Sequence, residues 1–260
     1  MSKISVPKIS LLTVSFDSDE KIKNLLTSLK KYPPKDSWEL IVVDNNSPKK
    51  QNYDFLEKEK NVHLIRLNKN LGFGGGNEEG VRFSQGEFLV FINPDIEVHE
   101  NCLDELLKTL QKDPTIGIVT PLLVSKDKKM LENTWDFPTP WQLLKRRLFS
   151  SREISIPEKN TAVAWAQGSF LVMKKSLFNS LDGFDSRFFL FFEDTDLCRR
   201  CWESKKKVVQ IPTAQAFHTE HRLSGGNILG AMFKKTFWIH LLSAFKYFAK
   251  YQGQKNPSIN

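Results

Sequence analysis

Short apolar runs alternate with helix-like stretches through residues 9–120, and this rhythm constrains the fold more than any other feature. ISLLTVS (9–15) and WELIVVD (38–44) are rich in β-formers and too short for helices, so they read as buried strands. Between them Ile22, Leu25, Leu26 and Leu29 share one helical face, and Tyr32-Pro33-Pro34 stops the helix. Asp17 and Glu20 carry the spacing of a capping box at its start. VHLIRL (62–67) is a third strand, and LGFGGGNEEGVRFSQG (71–86) a glycine-rich turn opening a helix that Gly86 ends. EFLVFIN (87–93) is a fourth strand, NCLDELLKTL (101–110) a helix and GIVT (117–120) a fifth strand.

This pattern predicts a mostly parallel α/β sheet with helices on both faces, whose ligands gather at the carboxyl ends of the strands. Asp17 falls just after the first strand, Asp44 ends the second and Asp95 follows the fourth. Each alone is a residue that turns favour anyway. Three on one rim point to a binding edge.

From about Ser125 to Asn160 the chain reads as a long surface excursion or lid, with Trp135 and Trp141 as contact residues. TAVAWAQGSFLVM (161–173) and KVVQIP (207–212) resume strand character, and KKSLFNSLDGFD (174–185) gives a short helix and turn. Between them lies FFLFFEDTDLCRRCW (188–202), where an aromatic run meets Glu193, Asp194 and Asp196 in the first turn of a helix. Acids there complement the helix dipole by about 0.3–1 kcal/mol. That leaves the aromatic wall unexplained, and a carboxylate held against aromatic side chains is a usual setting for a general base.

Three cysteines are too few for a disulfide framework and point to a reducing compartment. The spacing Cys198-Arg-Arg-Cys201 has no second pair, so core packing is the better account. His218 and His221 make one end of a metal site without the further ligands zinc needs. The first residues lack the apolar core of a signal peptide, and no stretch is long and apolar enough for a transmembrane helix. The net charge of +8 lies wholly after residue 203, where nine Lys or Arg face one acid, Glu220. Within that tail, residues 228–251 place apolar side chains at 229, 233, 237, 241, 245 and 248 with lysines interspersed. They read as a basic amphipathic helix, suited either to an anionic leaflet or to packing on the main domain or a dimer partner.

The glycine run fails the dinucleotide template, because Asn77 stands where the third glycine belongs, and it lacks the Gly-Lys-Ser/Thr of a P-loop. Its N–H groups at Gly72 either face phosphate or permit close chain packing. NPD (93–95) is either a turn or a seat for a diphosphate-bound cation, since magnesium needs only one or two protein carboxylates.

Taken in order, VSFDSDEKIKNLLTSL, ELIVVDNNS, LIRLNKNLGFGGGNEEG, GEFLVFINPDIEV, LDGFDSRFFLFFEDTDLCRRCWESKKKVVQIP and AFHTEH resemble the family 2 glycosyltransferases, in particular their bacterial rhamnosyltransferase branch. The resemblance spans most of residues 8–224 and implies the GT-A nucleotide-sugar-binding fold there, with residues 225–260 as a helical tail. It implies an inverting transfer of a sugar, first of all L-rhamnose, from a dTDP- or UDP-linked donor to a glycan or lipid-linked saccharide in cell-surface polysaccharide synthesis. Asp44 corresponds to the residue that binds the pyrimidine base, and Ser15 and Asp17 line the same pocket with Asn45, Gly72 and Asn93. Asp95 ends the family's metal-binding Asp-x-Asp, whose first Asp is Asn93 here, and His218 completes the metal site for Mg2+ or Mn2+. Asp194 matches the catalytic base, with Glu193 beside it; Glu78 stands where the family often has a second Asn. A cytoplasmic enzyme, peripheral on the inner face of the membrane, would follow.

Two rivals differ in class. A sugar-phosphate nucleotidyltransferase would carry a glycine-rich, basic loop after the first strand, where this chain has the acidic SFDSDE. A nucleic-acid-binding module would pair its basic residues with exposed aromatics along one face, and no nucleic-acid partner is expected here.

Overall fold

The computed structural model describes residues 6–143, 157–219 and 234–259. Its elements are β1 (Ile9–Ser15), α1 (Asp19–Lys31), β2 (Trp38–Asp44), β3 (Val62–Arg66), α2 (Gly72–Phe83), β4 (Phe88–Ile92), β5 (Ile96–Val98) and α3 (Cys102–Lys112). There follow β6 (Ile116–Val124), β7 (Met130–Leu131), β8 (Thr134–Trp135), β9 (Thr161–Ala162), β10 (Trp165–Ala166) and β11 (Phe170–Lys174). Last come α4 (Lys175–Ser180), α5 (Glu193–Glu203), β12 (Lys207–His218) and α6 (Lys235–Lys250).

Among the described residues one large sheet runs β3-β2-β1-β4-β11-β6-β12-β5, with β7 beside β6 and β9 beside β12. β1 pairs in parallel with β2 and β4, β2 with β3, and β6 with β12, whereas β11 and β5 run the other way. The continuous apolar runs have their reason here, because both faces of the sheet are covered. On one face α1 and α3 bury Ile22, Leu25, Leu106 and Leu110. On the other, α2, α4 and α5 bury Val81, Phe178, Leu197 and Cys201.

Three local expectations change. α1 is capped by Ser18 with no side-chain cap bond, so the capping box does not form. Asp17 instead adopts φ +54° and turns its Oδ1 to Lys49 N and Gln51 Nε2, both at 3.1 Å. α2 ends at Phe83 rather than at Gly86. Gly86 serves close approach: a Cβ there would sit 2.5 Å from Ser10 N on β1. The stretch after Ser125 also holds more order than a bare excursion. β8 pairs with β10, and the Trp135 and Trp165 rings lie 4.5 Å apart, while Trp141 is exposed; residues 144–156 lie outside the described residues.

α6 packs against the main body through Ala244, Tyr247 and Tyr251, which close on Phe188 and Phe192. The inward face therefore differs from the stripe read in the sequence: Leu241 and Phe245 point outward with Trp238 and Leu242, all 50–70 % exposed. The expected helix residues 228–233 lie outside the described residues.

Candidate active site

The glycine run sets the site's floor. Gly76 and Gly80 bring α2 against Val14 and Leu12 of β1, where an added Cβ would come within 2.9 and 2.7 Å of their side chains. This is the packing role, one of the two left open by the sequence. Gly72 has φ +76°, and a Cβ on it would lie 1.8 Å from the Phe189 carbonyl oxygen. That carbonyl accepts from Phe73 N at 2.9 Å, so the start of α2 is fastened to the aromatic segment before α5.

Asn45, buried at the end of β2, fastens the other side: its Nδ2 donates to Asn70 Oδ1 and Gly72 O, and its Oδ1 accepts from Leu71 N. Asp44 is half-buried, with Oδ1 accepting from Ser47 N at 3.0 Å and Ser47 Oγ at 2.6 Å. Ser15 is fully buried and its hydroxyl accepts from Tyr53 OH at 2.8 Å. Ser15 and Asn45 thus brace the rim, and Asp17 shapes the 47–51 loop beside Asp44.

The aromatic segment reaches α5 through Phe191 and Phe192, both in the left-handed region at φ +69° and +71°. Such backbone costs roughly 1–3 kcal/mol per residue and persists only where the surroundings over-determine it. Beyond this turn the three acids meet three environments. Asp194, 9 % exposed, accepts from Gly168 N at 2.9 Å on Oδ2, and from Thr195 N at 2.7 Å and Thr195 Oγ1 on Oδ1. Glu193, 4 % exposed, lies against Gly74, and its Oε2 has no hydrogen-bond partner. Asp196, fully buried, is paired with Arg200 and Lys250.

Electrostatics follow from these partners. Burial, then the neighbouring Asp194 charge, pushes the Glu193 carboxyl well above its ordinary range. Burial also raises Asp194, against the pull of its Gly168 and Thr195 donors. The Gly168 and Thr195 donors pull the Asp194 carboxyl back down, whereas the Asp194 charge pushes Glu193 further up.

The rim continues across the sheet. Asn93 N donates to Ser169 O at 2.9 Å, next to the Gly168 that holds Asp194. Asp95 lies two residues on, where β5 pairs with the end of β12 and Thr219 donates through N and Oγ1 to Asp95 O. His218 Nε2 stands 3.3 Å from Asp95 Oδ2, and Asp95 Oδ1 is buried without a partner among the described residues. A desolvated, orphaned carboxylate oxygen beside an imidazole nitrogen fits a divalent cation. Among the described residues no cluster of three or more His, Cys, Asp or Glu could hold a metal unaided; His221 lies outside them. The cysteines take no part: all three are buried, and burial pushes their thiols up, Cys201 to about 12.

Contacts thus run unbroken from Asp44 and Asn45 through Gly72, Phe73 and Phe189 to Asp194, then by Gly168 and Ser169 to Asn93 and Asp95. Sequence reasoning missed Gly168, whose backbone holds Asp194 and for which the sequence carries no signal. It named Glu78 without giving it a role; in the fold its Oε1 accepts from Phe184 N at 2.6 Å and ties α2 to the turn before the aromatic segment.

A mostly parallel sheet with a glycine-braced helix and an acidic rim at its carboxyl edge is the architecture of GT-A glycosyltransferases. The crystal structure of GalNAc-T7 with UDP, GalNAc and Mn2+ superposes with a TM-score of 0.66 at 17 % identity, covering 84 % of this chain and 44 % of that one. The family model described as "Glycosyl transferase family 2" matches residues 10–181, more than half the chain. The chain belongs to that family, and it is a glycosyltransferase. It is 26 % identical to the rhamnosyltransferase WbbL of Escherichia coli K12 over 93 % of both chains. It is 25 % identical to the low-salt glycan biosynthesis hexosyltransferase Agl10 of Haloferax volcanii, over 82 % of this chain and 67 % of that one. It is 22 % identical to the N-acetylglucosaminyl-diphospho-decaprenol L-rhamnosyltransferase of Mycobacterium tuberculosis, over 72 % of this chain and 68 % of that one. The nucleotidyltransferase and nucleic-acid-module readings fall with this membership.

Proposed function

We propose that the protein transfers L-rhamnose from dTDP-rhamnose, or a related sugar from a UDP-linked donor, to a hydroxyl of a glycan or lipid-linked saccharide in cell-surface polysaccharide synthesis, with inversion. The observation that carries the reading is Asp194, a buried carboxylate outside any ion pair among the described residues and aligned by backbone donors on the rim that ends at Asp95. Its carboxylate takes the proton of the acceptor hydroxyl as the hydroxyl oxygen bonds to the anomeric carbon. The bond from that carbon to the diphosphate breaks on the opposite face, and its electron pair leaves with the nucleoside diphosphate.

Asp44 takes the pyrimidine, with Asp17 and the 47–51 loop shaping that end; Ser15, Asn45 and Gly72 keep the nucleotide edge in place, and Asn93 lies between it and Asp95. Asp95 and His218 would hold magnesium or manganese, with water and the diphosphate as the other ligands. The cation would supply charge neutralisation at the leaving group, so that no general acid is needed. Residues 1–224 form the catalytic unit and 225–260 a tail whose outer apolar face meets a membrane surface or a second copy of the chain, with the enzyme working at the cytoplasmic side.

Asp194→Asn is the direct test. It should lower turnover ~10²–10⁴-fold while nucleotide binding persists. Near-normal turnover in that variant removes Asp194 as base.

A further inference from the structure

The family match ends at residue 181, before both Asp194 and α6, and the inner face of α6 is built into the segment that delivers Asp194. Ser243 Oγ donates to Leu190 O at 2.8 Å, immediately before the two left-handed phenylalanines. The Phe192 ring packs on His240 and Tyr247, with centroids 5.4 and 5.3 Å away. Lys250 spans the segment: its Nζ reaches Asp185 Oδ2 at 2.7 Å before the aromatic run and Asp196 Oδ1 at 2.5 Å after it. Tyr251 OH donates to the same Asp196 oxygen at 2.8 Å, and Arg200 Nε holds the other at 2.8 Å.

Asp196 lies two residues past Asp194, in the same first turn of α5. Its carboxylate is fully buried, so its place is set by these three donors and not by water. Two of the three come from the end of α6, Lys250 in its last turn and Tyr251 as its C-cap. The turn ahead of Asp194 is strained backbone that relaxes unless held from both sides. α2 holds it from inside, through Phe73, and α6 from outside.

We propose that Lys250 and Tyr251 are positioning residues for the transfer: by fixing Asp196 and closing Lys250 over the aromatic segment, they set where Asp194 stands. This rests on the reading of Asp194 as the base. Misplacing a reacting group by about 1 Å is enough to cost ~10²-fold in rate. A contact that only stabilises the fold would leave the rate of folded molecules unchanged.

The test uses the full chain and the dTDP- or UDP-linked sugar that the unaltered protein turns over. Lys250→Met, Lys250→Arg and Tyr251→Phe are compared for kcat, donor KM and dTDP or UDP affinity, each normalised to folded protein by circular dichroism. Lys250→Met and Tyr251→Phe should each lower kcat about 10- to 100-fold. Donor KM and nucleotide affinity should stay within about twofold, and Lys250→Arg should recover most of the rate. Should Lys250→Met not fold, Tyr251→Phe, which deletes a single hydroxyl, decides alone. Folded variants with unchanged kcat and only a lower melting temperature would overturn the proposal. So would a loss in KM and nucleotide affinity instead of kcat, or a Lys250→Arg rate as low as that of Lys250→Met. Asp194→Asn run alongside separates the two readings: if it is inactive while Lys250→Met is normal, only the positioning role falls.

Discussion

Glu193, Asp194 and Asp196 stand within four positions of one another, yet backbone donors, an empty apolar contact and an ion pair give them separate duties. The spacing marked all three as unusual, and only the family resemblance singled out Asp194; the residue pattern itself could not sort them, because the groups that do so are remote. Gly168 is 26 residues from Asp194, and Lys250 and Tyr251 are 54 and 55 from Asp196. The sorting has a consequence in pH. Glu193 has its carboxyl raised in the folded state, so the folded protein binds a proton that the unfolded chain releases above about pH 4.3. Its contribution to stability is present below that pH and lost as pH rises towards the folded-state value. Glu193→Gln removes the loss. The variant's stability relative to the unaltered protein should therefore improve from pH 4 to pH 8. Thermal melts at the two pH values check this, and a variant that loses stability relative to the unaltered protein as pH rises would contradict a Glu193 carboxyl raised by burial.

At the scale of elements, β1 and β2 match the runs read from the sequence, since a β-rich run closed by polar residues leaves little freedom in its ends. The helix boundaries were less legible. Asp17 and Glu20 obey the capping-box spacing, but the 47–51 loop competes for Asp17 and wins with two hydrogen bonds. Gly86 looked like a helix stop because a glycine after a helix usually is one. In the fold it marks where the chain passes within contact of β1. Gly86→Ala should therefore destabilise the protein by ~1–3 kcal/mol through overpacking against β1 backbone, far more than a surface Gly→Ala exchange. Urea denaturation measures it; a change near zero would mean that the chain there gives way freely.

For the whole molecule the tail carries two faces. The inner one locks on the main body, and the outer one exposes Trp238, Leu241, Leu242 and Phe245 beside the exposed Lys234 and Lys235, with no acid anywhere in α6. No helix of the described residues is long and apolar enough to cross a membrane. Leu241→Glu combined with Phe245→Glu should abolish sedimentation with anionic vesicles and leave folding intact, because both side chains already face water. Vesicle binding that survives the pair would exclude this face, and a dimer dissolved by the pair would identify a second copy as its occupant.

The sequence alone determined the sheet, its covering helices, the acidic rim and the family, because these depend on local patterns of apolar spacing and on motifs a few residues long. Only the tertiary structure decided what each polar group does. The glycine run became a packing surface when α2 met β1. Ser15 became a brace when Tyr53 reached it. The tail helix divided into inner and outer faces when Lys250 and Tyr251 found Asp196. Burial and partner choice are properties of chain segments far apart in sequence, and a buried carboxylate takes its charge, position and function from whichever of them arrive.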